Sequence, residues 1–181
     1  MATWNVINHT DLGSANATLV HWTSIPASYD HLYIMMSQRM TGSGSYSDSF
    51  KMEINGETGN TNYSYNGLYT TSGTPAGEGV ALGSQATAIG YPRSPAASSL
   101  ADTFGVTTIW IPNYSNTTHG KTTLVSNCNP NNDSTAGRWY VYLYAGFWNN
   151  TDAIDELKIL GSSTNFAQHS SVTLYGINGA A

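Results

Sequence analysis

Apolar and polar residues alternate with period two along most of this chain, the spacing of strands with one face buried. In SFKMEING the pattern is clean: Phe50, Met52 and Ile54 are predicted inward, Lys51 and Glu53 outward. TWNVIN opens the chain, and ATLVHW (17–22) follows a Gly-Ser-Ala-Asn turn. A Pro-marked corner at 24–30 leads into a long strand at 31–40, and NGLYTT is short. FGVTTIWIP (104–112), KTTLVSN (121–127), AIDELKIL and the closing SSVTLYGI follow, with Leu174 inward and Tyr175 opposite. The segment 72–99 is rich in Gly, Ala, Ser and Pro, and is predicted to be the longest irregular stretch, with one strand near 79–90. NTDAIDELKIL (150–160) is the best helix candidate, with Asp152 as a cap; Ile154, Leu157 and Ile159 do not settle the period, and it reads better as a strand after a turn. About ten strands with regular turns predict an all-β protein, an antiparallel, jelly-roll-like β-sandwich in one domain over residues 1–181.

One strand breaks the simple rule. In GRWYVYLYAGFW, Trp139, Val141, Leu143 and Ala145 share one face, and Tyr140, Tyr142 and Tyr144 the other. An inward apolar face leaves a ladder of tyrosines facing something else. Phe147 and Trp148 lie at its end, and Tyr63, Tyr65 and Tyr69 crowd a neighbouring hairpin. Three readings stand open: cross-strand aromatic pairs inside the sandwich, a protein interface, or a platform that stacks on a polysaccharide. The interface candidates are Tyr140, Tyr142, Tyr144, Trp148, Tyr65 and Tyr69. The tyrosines are expected to meet either a neighbouring subunit or the opposite sheet.

Composition narrows the function classes. Only 9 % of the 181 residues are charged, against roughly 25 % in a typical domain. A surface of hydroxyls, amides and tyrosine is buried at little desolvation cost, which suits assembly. The net charge is -5, and six Lys and Arg are scattered, so no basic patch for nucleic acid forms from sequence neighbours. The N-terminus has neither a positive region nor an apolar run, so no signal peptide is expected, and no segment has the length of a membrane span. With one cysteine no internal disulfide forms.

Several segments in fixed order resemble a known family: SIPASYDHLYI, INGETGNTNYSYNGLY, FGVTTIWIPNYSNTTHGKT, GFWNNTDAIDELKI and NFAQHSSVTLYGI. The chain resembles small β-sandwich virion structural proteins of tailed bacteriophages and cyanophages, described as tail-fibre-like or capsid-associated. The resemblance spans essentially the whole chain. The tyrosine run departs from the family pattern, in which Val, Ser or Leu is expected. The resemblance implies a non-enzymatic protein displayed on the particle after synthesis in the host cytoplasm. A capsid decoration or knob protein is the leading expectation, a homo-oligomer docked on the major capsid protein or another virion protein. The alternative is a tail-fibre or tail-tip adhesin touching a host surface glycan.

The residues point to no catalytic site, cofactor or metal. Asp152, Asp155 and Glu156 cluster in a turn, and Glu53 and Glu57 flank a hairpin, without the paired spacing of a glycosidase. His9, His21, His31, His119 and His169 are far apart, with no HxH or HExxH. A serine triad with His119 and Asp133 lacks a nucleophile elbow. Cys128 is placed in a turn as an inert thiol. NPNNDSTAG (129–137) offers oxygens for Ca²⁺ without the EF-hand spacing, and reads as a solvated loop. GEGVALG lacks the strand-to-helix setting of a phosphate loop.

Overall fold

The computed structural model describes residues 3–44, 46–59, 61–71, 74–85, 87, 89–130 and 139–179. They form twelve strands and no helix: β1 (Thr3–Asp11), β2 (Thr18–Trp22), β3 (His31–Gln38), β4 (Ser47–Ile54), β5 (Tyr63–Thr71), β6 (Thr74–Gln85), β7 (Arg93–Pro95), β8 (Gly105–Pro112), β9 (Lys121–Asn129), β10 (Tyr140–Trp148), β11 (Leu157–Gly161) and β12 (Ser171–Asn178). Among the described residues no helix is long and apolar enough to cross a membrane. An eight-stranded antiparallel sheet has the order β1-β12-β3-β8-β9-β10-β5-β6, and a four-stranded sheet the order β2-β11-β4-β7. The result is an all-β sandwich of two antiparallel sheets, one of eight strands and one of four.

The alternation rule places most of the core. Phe50, Met52 and Ile54 are fully buried, as are Leu32 and Ile34 on β3, Ile109 and Ile111 on β8, and Leu174 on β12. Phe50 packs on Phe166, ring centroids 5.8 Å apart. Glu53 differs from expectation. It is buried, bonded to Lys51 Nζ at 2.8 Å, with Lys158 Nζ at 3.7 Å from the neighbouring strand. Two cations satisfy a carboxylate that would otherwise be costly to bury.

Three local expectations are corrected. The strand expected near 79–90 begins earlier and is longer, β6 over Thr74–Gln85, and β7 follows at Arg93–Pro95. The Gly- and Ala-rich sequence of β6 has low strand propensity, and pairing with β5 from Thr71↔Thr74 to Tyr63↔Gln85 holds it extended. The GEGVALG stretch belongs to this strand. Asn55 and Gly56, at φ 49° and 68°, form the predicted two-residue turn, closed by Glu57 N–H donating to Ile54 O at 2.9 Å. The turn nevertheless joins no paired hairpin. It carries the chain from β4 in the small sheet to β5 in the large one. Cys128 lies on β9, exposed, rather than in a turn.

The unequal sheets set the problem that the tyrosines answer. At about 4.8 Å per strand, the large sheet is roughly 34 Å wide and the small one roughly 14 Å. The small sheet approaches β12 through β2, and β8 and β9 through β7. The inner face of β10, β5 and β6 therefore extends past its edge. Thr87 and residues 89–92 lie beside β4 and cover part of this overhang: Thr87 Oγ1 accepts from Met52 N–H at 3.1 Å, and Phe50 N–H donates to Pro92 O at 3.2 Å.

Candidate functional site

Strand β10 pairs with β5 and β9 over its whole length, so its two faces are fixed by register. The inward face is the tyrosine face. Tyr142, Tyr144 and Trp148 are buried, while Trp139, Val141, Leu143 and Ala145 are exposed. Of the readings left open by the sequence, this is the one in which the tyrosines pack inside the sandwich, with the aliphatic set outward. At an overhang, an inner side chain must fill depth and still end near water. Tyrosine, with a wide apolar ring and a polar tip, meets both demands where valine or leucine meets one.

The ladder is a continuous stack. Ring centroids lie 5.7 Å apart from Tyr140 to Tyr142 and 5.3 Å from Tyr142 to Tyr144, nearly parallel. Tyr69 extends the stack across the strand pair, 5.3 Å from Tyr142. Tyr65 meets Tyr144 edge-on at 5.6 Å, and Tyr91 meets Tyr65 at 6.4 Å. Two glycines make room for Tyr144: a Cβ on Gly67 would collide with its ring, and one on Gly90 (φ 68°) would stand 2.9 Å from it. Trp148 donates from Nε1 to Glu57 at 2.6 Å, while Asn62 holds the other oxygen of that carboxylate at 2.6 Å. Thus Tyr65, Tyr142, Tyr144 and Trp148 are spent inside the chain, and Tyr69 and Tyr140 are half-buried at the mouth of the stack.

At that mouth lies a cavity of about 300 Å³, walled by Tyr65, Tyr69, Tyr91, Tyr140 and Tyr142, with Glu78 and Arg93 among them. Tyr144 donates its hydroxyl proton to Glu78. Arg93 lies 5.2 Å from the centre of the Tyr140 ring and donates to Ser47 Oγ at 3.3 Å. The hydroxyls do not ionise easily here. Burial, with Glu78 near, pushes Tyr65 up to about 12. Burial raises Tyr142 further, against the pull of Arg93, and burial together with the Glu78 bond raises Tyr144 further still. Tyr65, Tyr142 and Tyr144 are therefore neutral hydrogen-bonding groups over the whole physiological range.

The outward face of the same sheet is a second candidate surface. Leu68, Val106, Leu124, Val141 and Leu143 are 47–66 % exposed. Register makes them neighbours: Leu143 lies opposite Leu68, Val141 opposite Cys128, and Cys128 opposite Val106. The outward positions of β5, β8, β9 and β10 carry no charged residue. Leu124 pairs with Trp110, which begins an aromatic row across the other half of the sheet. Tyr33 lies 6.1 Å from Trp110, and Trp4 packs edge-on to Tyr33 at 5.2 Å and to Tyr175 at 5.9 Å.

The remaining candidates separate. Asn55 ties down the carboxylate turn, accepting from Asp155 and Glu156 N–H at 3.1 Å each and donating to Ala153 O at 2.8 Å. Glu156 bonds His21 at 2.7 Å; His9 lies 3.0 Å from Asp11; and His31 accepts from Asn113 N–H at 3.1 Å. Among the described residues, no three His, Cys, Asp or Glu side chains converge as a metal site. Asp133 and most of the 129–137 loop lie outside the described residues. Sequence reasoning missed Glu78 and Arg93, the aromatic row, and Lys121. The Lys121 ammonium is buried, donates to His119 O and Thr151 O at 3.0 and 3.2 Å, and is held below the usual lysine range by that burial. Of the aromatic row only Tyr175, set opposite the inward Leu174, was placed in advance.

Compared with known proteins, the chain matches no protein-family model, and no curated protein matches it.

Proposed function

We propose that this chain is a non-enzymatic structural protein of a bacteriophage particle, a capsid decoration protein that assembles as a homo-oligomer and docks on the major capsid protein through the outward face of its large sheet. The observation that carries this reading is the charge-free apolar patch of Leu68, Val106, Leu124, Val141 and Leu143. Contiguous exposed apolar area of this kind marks an interaction surface in a folded protein. Because its outward positions lack charge, an acidic chain can bring it against another acidic copy or a shell without stripping water from ions. The ordered sequence resemblance to virion proteins supports the setting.

The aromatic row favours a second reading, a tail-fibre or tail-tip adhesin, because exposed Trp and Tyr faces also stack on sugars. Antibody-gold labelling of intact particles separates the two. Gold spread over the head is the expected result. Gold confined to the tail end replaces decoration with adhesion, and particles without gold overturn the virion assignment itself.

A further inference from the structure

The tyrosine-walled cavity has no part in the docking surface, which lies on the other face of the sheet. We infer that this cavity is a binding site for a neutral saccharide unit, with Arg93 and Glu78 reading its hydroxyl groups and the tyrosines packing on its ring. The inference stands whether or not the chain decorates a capsid.

Four observations carry it. The volume, about 300 Å³, is at the small end of ligand sites and has room for one sugar ring with a few waters. The lining combines ring surface with polar tips: tyrosine rings offer flat apolar area to the C–H face of a pyranose, and their hydroxyls donate and accept. The two charged groups have opposite sign. Arg93 only donates and Glu78 only accepts, so a ligand of hydroxyls satisfies both at once. An anion would face Glu78, a cation would face Arg93, and a wholly apolar ligand would displace water from both charges without replacing its hydrogen bonds. Finally, both groups are already oriented, Glu78 by the Tyr144 hydroxyl and Arg93 by Ser47 and the Tyr140 ring, which lowers the ordering cost of binding.

The interior beside the cavity is polar as well. Asn129 lies opposite Tyr140 and Asn127 opposite Tyr142 on the paired strand. Both are buried, and the Asn129 amide and Asn127 Oδ1 have no hydrogen-bond partner among the described residues. Buried amides left unpaired are rare in native structures, and these two extend the hydrogen-bonding capacity of this end of the sandwich.

The test uses the full chain with a panel of free neutral sugars: glucose, galactose, mannose, rhamnose and N-acetylglucosamine. Chemical-shift titration reads both affinity and place. At least one sugar is expected to saturate in the millimolar range, shifting the resonances of Tyr65, Tyr69, Tyr91 and Tyr140. Glu78→Gln and Arg93→Gln should each weaken it about tenfold while the chain stays folded. Glu78→Gln keeps an acceptor for Tyr144, so it remains informative if Arg93→Gln fails to fold. Three results overturn the inference: no sugar binds; shifts fall on Trp4, Tyr33, Trp110 and Tyr175 of the outer face instead; or acetate or glycine, offered as charged controls, binds at the cavity in preference to every sugar.

Discussion

The two faces of β10 are built from residues of similar hydrophobicity and have opposite fates. The inner face buries Tyr142, Tyr144 and Trp148, the Tyr144 hydroxyl bonded to Glu78, the Trp148 indole to Glu57 and Tyr142 to Arg93. The outer face leaves Val141 and Leu143 half in water. Hydrophobicity alone does not decide between them. What decides is the shape of the space on each side. The inside is an overhang beyond the small sheet, deep and partly wet, whereas the outside is a flat surface. The comparison teaches that aliphatic residues on a strand can be kept outward when the inward space suits a larger, polar-tipped ring.

The comparison breaks most directly at Tyr144. Tyr144→Ala should cost about 3–5 kcal/mol, the range for emptying a large buried aromatic site. Tyr144→Phe, which keeps the ring and removes the hydroxyl, should cost about 1 kcal/mol. Urea unfolding of the two variants measures the gap; equal losses would mean that the ring itself contributes little. Alkaline titration is the next largest effect. Unfolded tyrosine ionises near pH 10, whereas Tyr65 is held up to about 12 and Tyr142 and Tyr144 higher. The folded state therefore binds more protons above pH 10, and stability, fully present below it, should fall as pH rises from about 10 through 12. Melting temperature against pH, alongside tyrosinate absorbance, checks this; tyrosines that ionise near pH 10 before any unfolding would show the stack to be open to water. The smallest effect belongs to the outer face. Leu143→Asn should change monomer stability by no more than about 0.5 kcal/mol, yet weaken self-association in sedimentation. A variant that unfolds would make Leu143 part of the core after all.

Much of the fold was legible in alternation. Phe50, Met52, Ile54, Leu174 and Tyr175 lie where period two puts them, because at those strands only one face is apolar. On β10 both faces are apolar, so the pattern was silent on orientation, and the missing information was the width of the opposite sheet. The strand near 79–90 was placed several residues late because the Gly and Ala content of β6 has little strand signature of its own; the β5 partner sets its span. Asn55-Gly56 gave its turn geometry correctly, yet a turn does not say whether its flanking strands pair or part. The candidate site was half legible. The tyrosines stood out, but Glu78 and Arg93, each isolated in sequence, acquire meaning only when β6 and β7 bring them to the same cavity.

The single thiol turns the outer face into its own reporter. Cys128 sits between Val106 and Val141, exposed in the free chain. A small maleimide should modify it as fast as it modifies an unhindered cysteine in solution, and slowly or not at all wherever that face is covered. Labelling kinetics on free protein and on the assembled form thus become a footprint of one surface, read at one atom, with no engineered residue and no competing cysteine elsewhere in the sequence.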